Sequence, residues 1–246
     1  MKSIFRACYG EPPDLTNGEA QGLVLVADGC GGLDLCAVGL RYVMGALRIP
    51  CQVRVVSWGH GFGRWYADLS DTTHLETHAA QAAHDVEEFL AGHPGAPVYL
   101  VGKSGGTAVV VKALERLPEG AVEAAVLLSS ALSPSYDLTR ALHAVRREVA
   151  AFWSPLDVFV LGAGTFMFGT IDRKHSVSAG LVGFRTPPEP SAEQTAQYAK
   201  LRQIRWRAAM APTGYMGGHV GPDCPAFLRK YVVPLLSTTT GTDMLN

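Results

Sequence analysis

The sequence has no long apolar run and no excess of charge of either sign. Its longest apolar stretches, such as 124–128 and 158–161, are far shorter than the roughly 20 residues that a membrane-spanning helix needs. The formal net charge is −1 and the basic residues form no stripe, which argues against nucleic acid as the main partner. We therefore expect no membrane span and no nucleic acid, and a small molecule as the partner.

Cysteines are few and follow no ligand pattern. The five cysteines are an odd number, are scattered, and include no C-x-x-C pair, so the sequence predicts neither a disulfide framework nor a zinc site. Reduced cysteines are typical of a reducing compartment. Residues 1–8 also lack the sustained apolar core of a signal peptide. On these grounds we expect a cytoplasmic protein.

The chain also lacks internal repeats and linker tracts. A length of 246 residues is usual for one α/β domain and allows a large buried core. Hydrophobic residues make up 48% of the chain and charged residues only 17%, which indicates a compact globular protein. We predict a single domain over residues 1–246.

Short apolar runs alternate with helical patterns along most of the chain. This alternation predicts an α/β fold with a mostly parallel sheet and helices on both faces, whose sites lie at the carboxyl ends of the strands. Residues 1–20 and 158–190 carry little regular pattern, and Asp223 is expected to cap the last helix. The predicted strands are 22–27, 52–58, 97–101, 122–128, 149–153 and 204–210, and the helices are 33–47, 78–90, 107–117, 133–147, 192–202 and 225–236.

Residues 102–106, G-K-S-G-G, fit G-x-S-x-G between the third predicted strand and its helix. The flanking glycines allow a tight turn that leaves the Ser104 hydroxyl accessible. A phosphate-binding loop is excluded because Pro97 stands where G-x-x-x-x-G-K-S requires glycine. The pattern predicts a nucleophilic serine, and the alternative is a turn without chemistry.

A serine hydroxyl becomes a nucleophile when a base takes its proton and an acid orients that base. His219 is the only histidine after residue 175 and lies in a glycine-flanked loop after the last predicted strand. Asp157 follows the fifth predicted strand, whereas Asp137 and Asp172 are competing candidates for the acid. Each aspartate could instead be a turn residue or a helix cap, the common role of aspartate in loops.

The G-x-S-x-G turn and the chain order serine, acid, histidine resemble those of the α/β-hydrolase superfamily. The resemblance extends from about residue 21 to residue 237. It implies an oxyanion hole formed by the backbone N–H groups of Gly105 and Cys30. Residues 28–32, D-G-C-G-G, look like the His-Gly loop of the superfamily with Asp28 in place of histidine.

The resemblance implies a serine hydrolase, most simply a carboxylesterase that acts on small or acyl esters. Ser104 would attack the carbonyl carbon and form an acyl-enzyme, His219 would transfer the proton, and Asp157 would orient the imidazole. The same groups serve thioesters, amides, lactones and acyl transfer. The alternative from another class is a catalytically inactive protein of this fold that binds a ligand or partner. No cofactor and no metal are implied.

Residues 158–203 form a longer connection than a minimal member of the superfamily needs. Because the connection lies between Asp157 and His219, we predict that it forms a modest lid-like insertion or a pocket wall before the last strand. Phe166 and Phe168 are predicted to contact an acyl chain, and the alternative is that they fill the core.

Overall fold

The computed structural model describes residues 20–237, and a parallel sheet of six strands forms its centre. The spatial order is β2-β1-β3-β4-β5-β6, and every neighbouring pair is parallel. The predicted α/β class with a parallel sheet is confirmed. The strands are β1 Gly22–Ala27, β2 Cys51–Val55, β3 Val98–Lys103, β4 Val122–Leu128, β5 Val145–Trp153 and β6 Leu201–Arg205.

Helices connect the strands and cover both faces of the sheet. The α-helices are α1 Leu35–Ala46, α2 Trp65–Ser70, α3 Thr72–Gly92, α4 Gly106–Leu114, α5 Thr139–His143, α6 Thr165–Phe168, α7 Ala179–Val182, α8 Ala192–Tyr198 and α9 Pro225–Phe227. Phe159–Gly164 and Leu228–Val232 are π-helical, and Ala208–Thr213, Gly221–Asp223 and Val233–Leu236 are 3₁₀-helical.

Alternation along the strands divides the core into two layers. Successive side chains of a strand point to opposite faces. Leu23 and Leu25 of β1 therefore pack in the layer that contains α3 and α4. Val24 and Val26 pack instead in the layer that contains α1 and the C-terminal helical turns. Because both faces are covered, the central strands are apolar at almost every position, as expected for a buried parallel sheet.

Tertiary pairing overrides local propensity in the fourth connection. The predicted helix 133–147 is wrong over most of its length, because α5 spans only Thr139–His143 and β5 begins at Val145. Val145 pairs with Val122 of β4, and a register irregularity lets β5 extend for nine residues. Hydrogen bonding to a neighbouring strand decides the conformation there, which local pattern alone does not predict.

The end of the chain also differs from the sequence-based expectation. The strand predicted at 204–210 is β6 at Leu201–Arg205, and the following residues form 3₁₀ helix instead. The predicted closing helix 225–236 is a run of three helical types, with Pro234 in the first turn of the last one, where its missing N–H donor does no harm. The prediction that Asp223 caps this helix is wrong, because its carboxylate binds the Lys103 ammonium group. Residues 1–19, almost the whole of the predicted lead-in, lie outside the described residues.

Candidate active site

Ser104 lies in a sharp turn between β3 and α4. Its backbone has φ 51°, a left-handed conformation that is uncommon for a residue with a side chain. Hydrogen bonds hold it there: the Ser104 N–H donates to the Leu128 carbonyl oxygen at 2.9 Å, and the Thr107 hydroxyl donates to the Ser104 carbonyl oxygen at 2.6 Å. The serine is thus held in a strained conformation by the surrounding structure, as is frequent at functional sites.

Glycines at two positions allow close packing around this turn. A Cβ on Gly106 would lie 2.1 Å from the Ala27 carbonyl oxygen, so α4 passes directly against the end of β1. A Cβ on Gly29 would lie 3.2 Å from the Cβ of Ser104. The loop that follows β1 therefore packs against the serine, as expected for two loops at the carboxyl ends of neighbouring parallel strands.

The structure brings together Ser104, His219 and Asp157, which are far apart in the sequence. His219 Nε2 lies 2.9 Å from Ser104 Oγ, and His219 Nδ1 lies 2.7 Å from Asp157 Oδ2. Because a carboxylate only accepts hydrogen bonds, Nδ1 holds the proton and Nε2 is free to accept from the serine hydroxyl. Asp157 is 3% exposed, so its carboxylate is shielded from water beside the imidazole.

The two competing aspartates have partners other than His219. Asp172 accepts hydrogen bonds from the N–H and hydroxyl groups of Ser133, at 2.8 and 2.6 Å. Asp137 accepts from the N–H and hydroxyl groups of Thr139, two residues further along the chain. Asp137 follows the turn-residue alternative, whereas Asp172 binds a residue 39 positions earlier in the chain, and neither is hydrogen-bonded to His219.

The two predicted oxyanion donors lie side by side. A Cβ on Gly105 would lie 2.5 Å from Cys30 Sγ, so the Cys30 thiol packs directly on Gly105. Within residues 20–237, the N–H groups of Cys30 and Gly105 donate to no other residue. Burial raises the pKa of the Cys30 thiol to about 12, so this thiol is neutral and unreactive at neutral pH.

Asp68 supports the loop that contains Cys30, and sequence reasoning missed it. Its buried carboxylate accepts the Gly31 N–H at 2.7 Å and contacts the backbone N–H and ring Nδ1 of His60. Asp68 lies in α2, within residues 59–77, for which the sequence predicts neither a helix nor a strand. Nothing in the local pattern distinguishes it from an ordinary exposed loop aspartate.

Asp28 points into the protein beneath the same loop. Its carboxylate accepts the N–H groups of Cys36 and Ala37 at 3.0 and 2.9 Å, at the start of α1. An anion is favoured at this end of a helix by the helix dipole. Burial nevertheless outweighs these hydrogen bonds and raises the pKa of Asp28 to about 7. Asp28 therefore anchors the loop, and its carboxyl group changes charge near neutral pH.

Lys103 and Asp223 form a second buried polar contact that the sequence analysis did not anticipate. The Lys103 ammonium group lies 3.1 Å from Asp223 Oδ2. Burial raises the pKa of the Asp223 carboxyl above its ordinary value, although the nearby ammonium group favours its charged form. A lysine in G-K-S-G-G looks like an exposed loop residue, so its burial becomes visible only once the chain is folded.

Donor atoms of Asp28, Cys36 and Asp223 lie within 4.8 Å of one another, the one such group among residues 20–237. The Lys103 ammonium group already supplies a positive charge to these carboxylates. Burial also raises the pKa of the Cys36 thiol well above its ordinary value, whereas a metal requires the thiolate. The donor set therefore suits an ammonium group better than a metal ion.

A largely apolar cavity of about 410 Å³ opens at Ser104 and His219. Phe168 lies in its wall, and its ring meets the Trp65 ring edge-on at 5.3 Å. Phe166 does not line the cavity and is 65% exposed. The other apolar lining residues are Leu33, Leu35, Leu69, Ala131, Val160, Leu161 and Val220. A larger cleft of about 720 Å³ contains neither Ser104 nor His219 and is lined by many charged residues.

Exposed apolar side chains occur in four of the connections that follow strands. Among the described residues, every exposed large hydrophobic side chain lies in a segment that follows β1, β2, β5 or β6. They are Leu33, Phe62, Trp65, Tyr66, Leu156, Val158, Phe159, Val160, Phe166, Met167, Phe168, Val182, Met216 and Val220. Five of them, Leu33, Trp65, Val160, Phe168 and Val220, line the cavity at Ser104. No helix within residues 20–237 is both long and apolar enough to cross a bilayer.

The raised pKa of Asp28 predicts a specific dependence of stability on pH. A folded-state pKa of about 7, against an ordinary value of 3.8, means that the folded protein holds a proton that the unfolded chain releases. This contribution is complete below about pH 4 and is lost as the pH rises towards 7, by at most about 4 kcal/mol. Denaturant titrations should show that Asp28→Asn flattens this decline, with Asp85→Asn on α3 as the matched control. An unchanged slope would place the titration in another group.

No protein-family model matches the sequence, and no curated protein is similar to it. Solved structures with a similar arrangement include a cutinase-like protein from Cryptococcus sp., at 16% identity and TM-score 0.46, covering 90% of this chain and 98% of that one. An esterase from Pyrococcus furiosus is 10% identical at TM-score 0.48, covering 87% and 78%. Esterase PE8 is 19% identical at TM-score 0.45, covering 88% and 95%. The order of the parallel sheet, the helices on both faces and the serine turn between β3 and α4 give this chain the α/β-hydrolase fold.

Proposed function

We propose that this protein is a serine hydrolase that cleaves carboxylic esters through an acyl-enzyme. The supporting observation is the continuous hydrogen-bonded line from Asp157 through His219 to Ser104, at 2.7 and 2.9 Å. Both distances are those of well-formed hydrogen bonds. A nucleophile, a base and an orienting acid in this arrangement define acyl-transfer chemistry irrespective of their sequence positions.

The first half of the reaction forms the acyl-enzyme. Ser104 Oγ attacks the carbonyl carbon of the ester while His219 Nε2 takes the hydroxyl proton. Asp157 accepts the Nδ1–H hydrogen bond, keeps the imidazole in the required tautomer and stabilises the imidazolium. When the tetrahedral intermediate collapses, the C–O bond to the alcohol breaks and Nε2 returns the proton to the leaving oxygen.

The second half hydrolyses the acyl-enzyme. Water attacks the acyl carbon, Nε2 accepts a proton from that water, and the intermediate collapses with protonation of Ser104 Oγ. In both halves, the N–H groups of Cys30 and Gly105 are proposed to donate to the negatively charged oxygen. Neither N–H group has an acceptor in another residue of the described part of the chain, which supports this role, since preorganised donors stabilise developing charge.

The shape and polarity of the cavity support apolar substrates. About 410 Å³ beside Ser104 accommodates a small acyl or alcohol group, and the wall is mostly aliphatic and aromatic. We propose that one part of the connection between Asp157 and β6 acts as the pocket wall. The members of the segment 158–203 that line the cavity, Val160, Leu161, Gly164, Thr165 and Phe168, all lie near its start.

Replacing Ser104 with alanine should abolish both ester hydrolysis and labelling by a fluorophosphonate probe. Losing a triad nucleophile costs on the order of 10⁶ in kcat. Ser70→Ala, at the end of α2, is the matched control and should leave both signals unchanged. A wild-type protein that is folded but neither hydrolyses p-nitrophenyl esters nor accepts the probe would favour a catalytically inactive binding protein.

Neutralising the carboxylate that contacts His219 should be far more damaging than neutralising the other two aspartates. We expect Asp157→Asn to lower kcat by roughly 10⁴, because the amide favours the wrong imidazole tautomer. Asp137→Asn and Asp172→Asn weaken contacts to Thr139 and Ser133 that do not involve His219, so both variants should retain most of the activity. Steady-state kinetics on one ester, for all three purified variants, decide the assignment. If Asp157→Asn alone stays near wild type, the acid is a different residue.

Phe168 and Phe166 provide a matched pair for testing the cavity wall. Phe168→Ala enlarges the cavity and should change the preference among p-nitrophenyl esters of graded acyl length. Phe166→Ala removes an equally large side chain that does not line the cavity, and the preference should stay as in the wild type. The other outcome is that both variants lose the same amount of melting temperature and keep the wild-type preference among the esters. In that case Phe168 packs in the protein without contacting the acyl chain.

A further inference from the structure

Each partner of the buried Lys103–Asp223 ion pair is close in sequence to a proposed catalytic residue. Lys103 directly precedes Ser104, and Asp223 lies four residues after His219. The two partners are 120 residues apart in the chain, and their side chains are only 6% and 10% exposed. The pair therefore links the end of β3 to the segment that contains the histidine.

The histidine segment has few other polar connections to the sheet. Apart from the two bonds of the His219 ring, the hydrogen bonds of residues 216–223 within the described chain are local, with the single exception of the one from Lys103 to Asp223. Gly217 has φ 90° and packs so closely that a Cβ would lie 2.7 Å from Leu156 Cδ1, whereas a Cβ on Gly218 would meet no atom within 4 Å. Because neither residue has a side chain, the backbone before the histidine has little restriction of its own and relies on contacts with the rest of the protein to keep Nε2 near Ser104.

A buried ion pair suits this anchoring role better than it suits a role in stability. Charge-assisted hydrogen bonds are short and directional, so they fix a distance between two elements. Their net contribution to folding is small, because taking both charges out of water offsets the attraction between them. The Asp28 carboxyl group interacts electrostatically with both partners. The Lys103 ammonium group favours the charged form of Asp28, and the Asp223 carboxylate disfavours it.

We propose that Lys103 and Asp223 are positioning residues whose ion pair holds the His219 segment where Nε2 reaches Ser104 Oγ. Neither side chain is proposed to touch the reacting atoms. The inference rests on the proposed function for its kinetic consequence, whereas the hydrogen-bond geometry of His219 can be measured without turnover.

The main test is the double variant Lys103→Met/Asp223→Leu, which removes both charges and keeps an apolar filling. Such replacements of buried ion pairs are commonly neutral or stabilising, so the melting temperature should stay near that of the wild type. We expect kcat on a p-nitrophenyl ester to fall by roughly 10- to 100-fold, because small misplacements of catalytic groups are costly. KM should change less than kcat, because every apolar residue of the cavity wall is retained, although Lys103 and Asp223 themselves also line the cavity.

The matched control is Lys112→Met/Glu115→Leu on α4, the helix that follows Ser104. This double variant removes another ion pair, with Nζ–Oε2 at 3.4 Å, that has no connection to the histidine segment. Its kcat and KM should equal those of the wild type. If the Lys103→Met/Asp223→Leu variant is folded and as active as this control, the positioning role is wrong.

Two further measurements test the positioning role without depending on whether the double variant folds. Asp223→Asn keeps an oxygen acceptor for Lys103 but loses the charge, so it should lower kcat by a smaller factor at unchanged KM. The downfield imidazole N–H proton resonance reports the Asp157–His219 hydrogen bond directly, and it should weaken or exchange faster in both variants. An unchanged resonance and an unchanged kcat in folded Asp223→Asn would overturn the proposal. A third outcome is that the wild type shows the resonance and hydrolyses no ester, while the variants lack the resonance. That outcome would contradict the proposed function and leave the positioning role intact.

Discussion

The site depends on how closely α4 approaches the end of β1. Any side chain at Gly106 would overlap the Ala27 carbonyl oxygen, so the approach exists only because this residue is glycine. The same packing places the loop after β1 against the serine turn, with the Cys30 thiol on Gly105. Ser104 keeps its left-handed backbone because hydrogen bonds from both sides of the turn leave it no alternative.

Asp157 and His219, the other two members of the proposed triad, follow strands that are not adjacent to the serine turn. The sheet order separates β5 from β3 by one strand and β6 by two, so loops after these strands have to run back along the carboxyl edge. Gly214 and Gly217 both have positive φ in the long connection after β6, which allows the chain to bend towards Ser104. Because glycine restricts the backbone so little, we propose Asp223 as the anchor of this connection.

Among residues 20–237, few charged side chains are buried, and each of them has a polar partner. Asp157 binds His219, Asp68 binds the Gly31 N–H, and Asp28 binds the start of α1. Burial penalises every one of these carboxylates, which is why they occur where a backbone N–H group, an imidazole or an ammonium group compensates them. Asp28 and His219 also line the cavity, so part of this polar support borders the apolar wall.

The sequence by itself determined the parallel α/β class, the serine turn and the histidine, because glycine spacing and apolar runs are local properties of the chain. It left Asp157, Asp137 and Asp172 as competitors, since loop aspartates look alike until their neighbours are known. Only the tertiary structure decided which carboxylate meets His219, which phenylalanine lines the cavity, and that Lys103 pairs with Asp223. Most of the helix predicted at 133–147 is instead turns and β5 in the structure. Strand pairing and burial decide this, and both depend on residues that are distant in sequence.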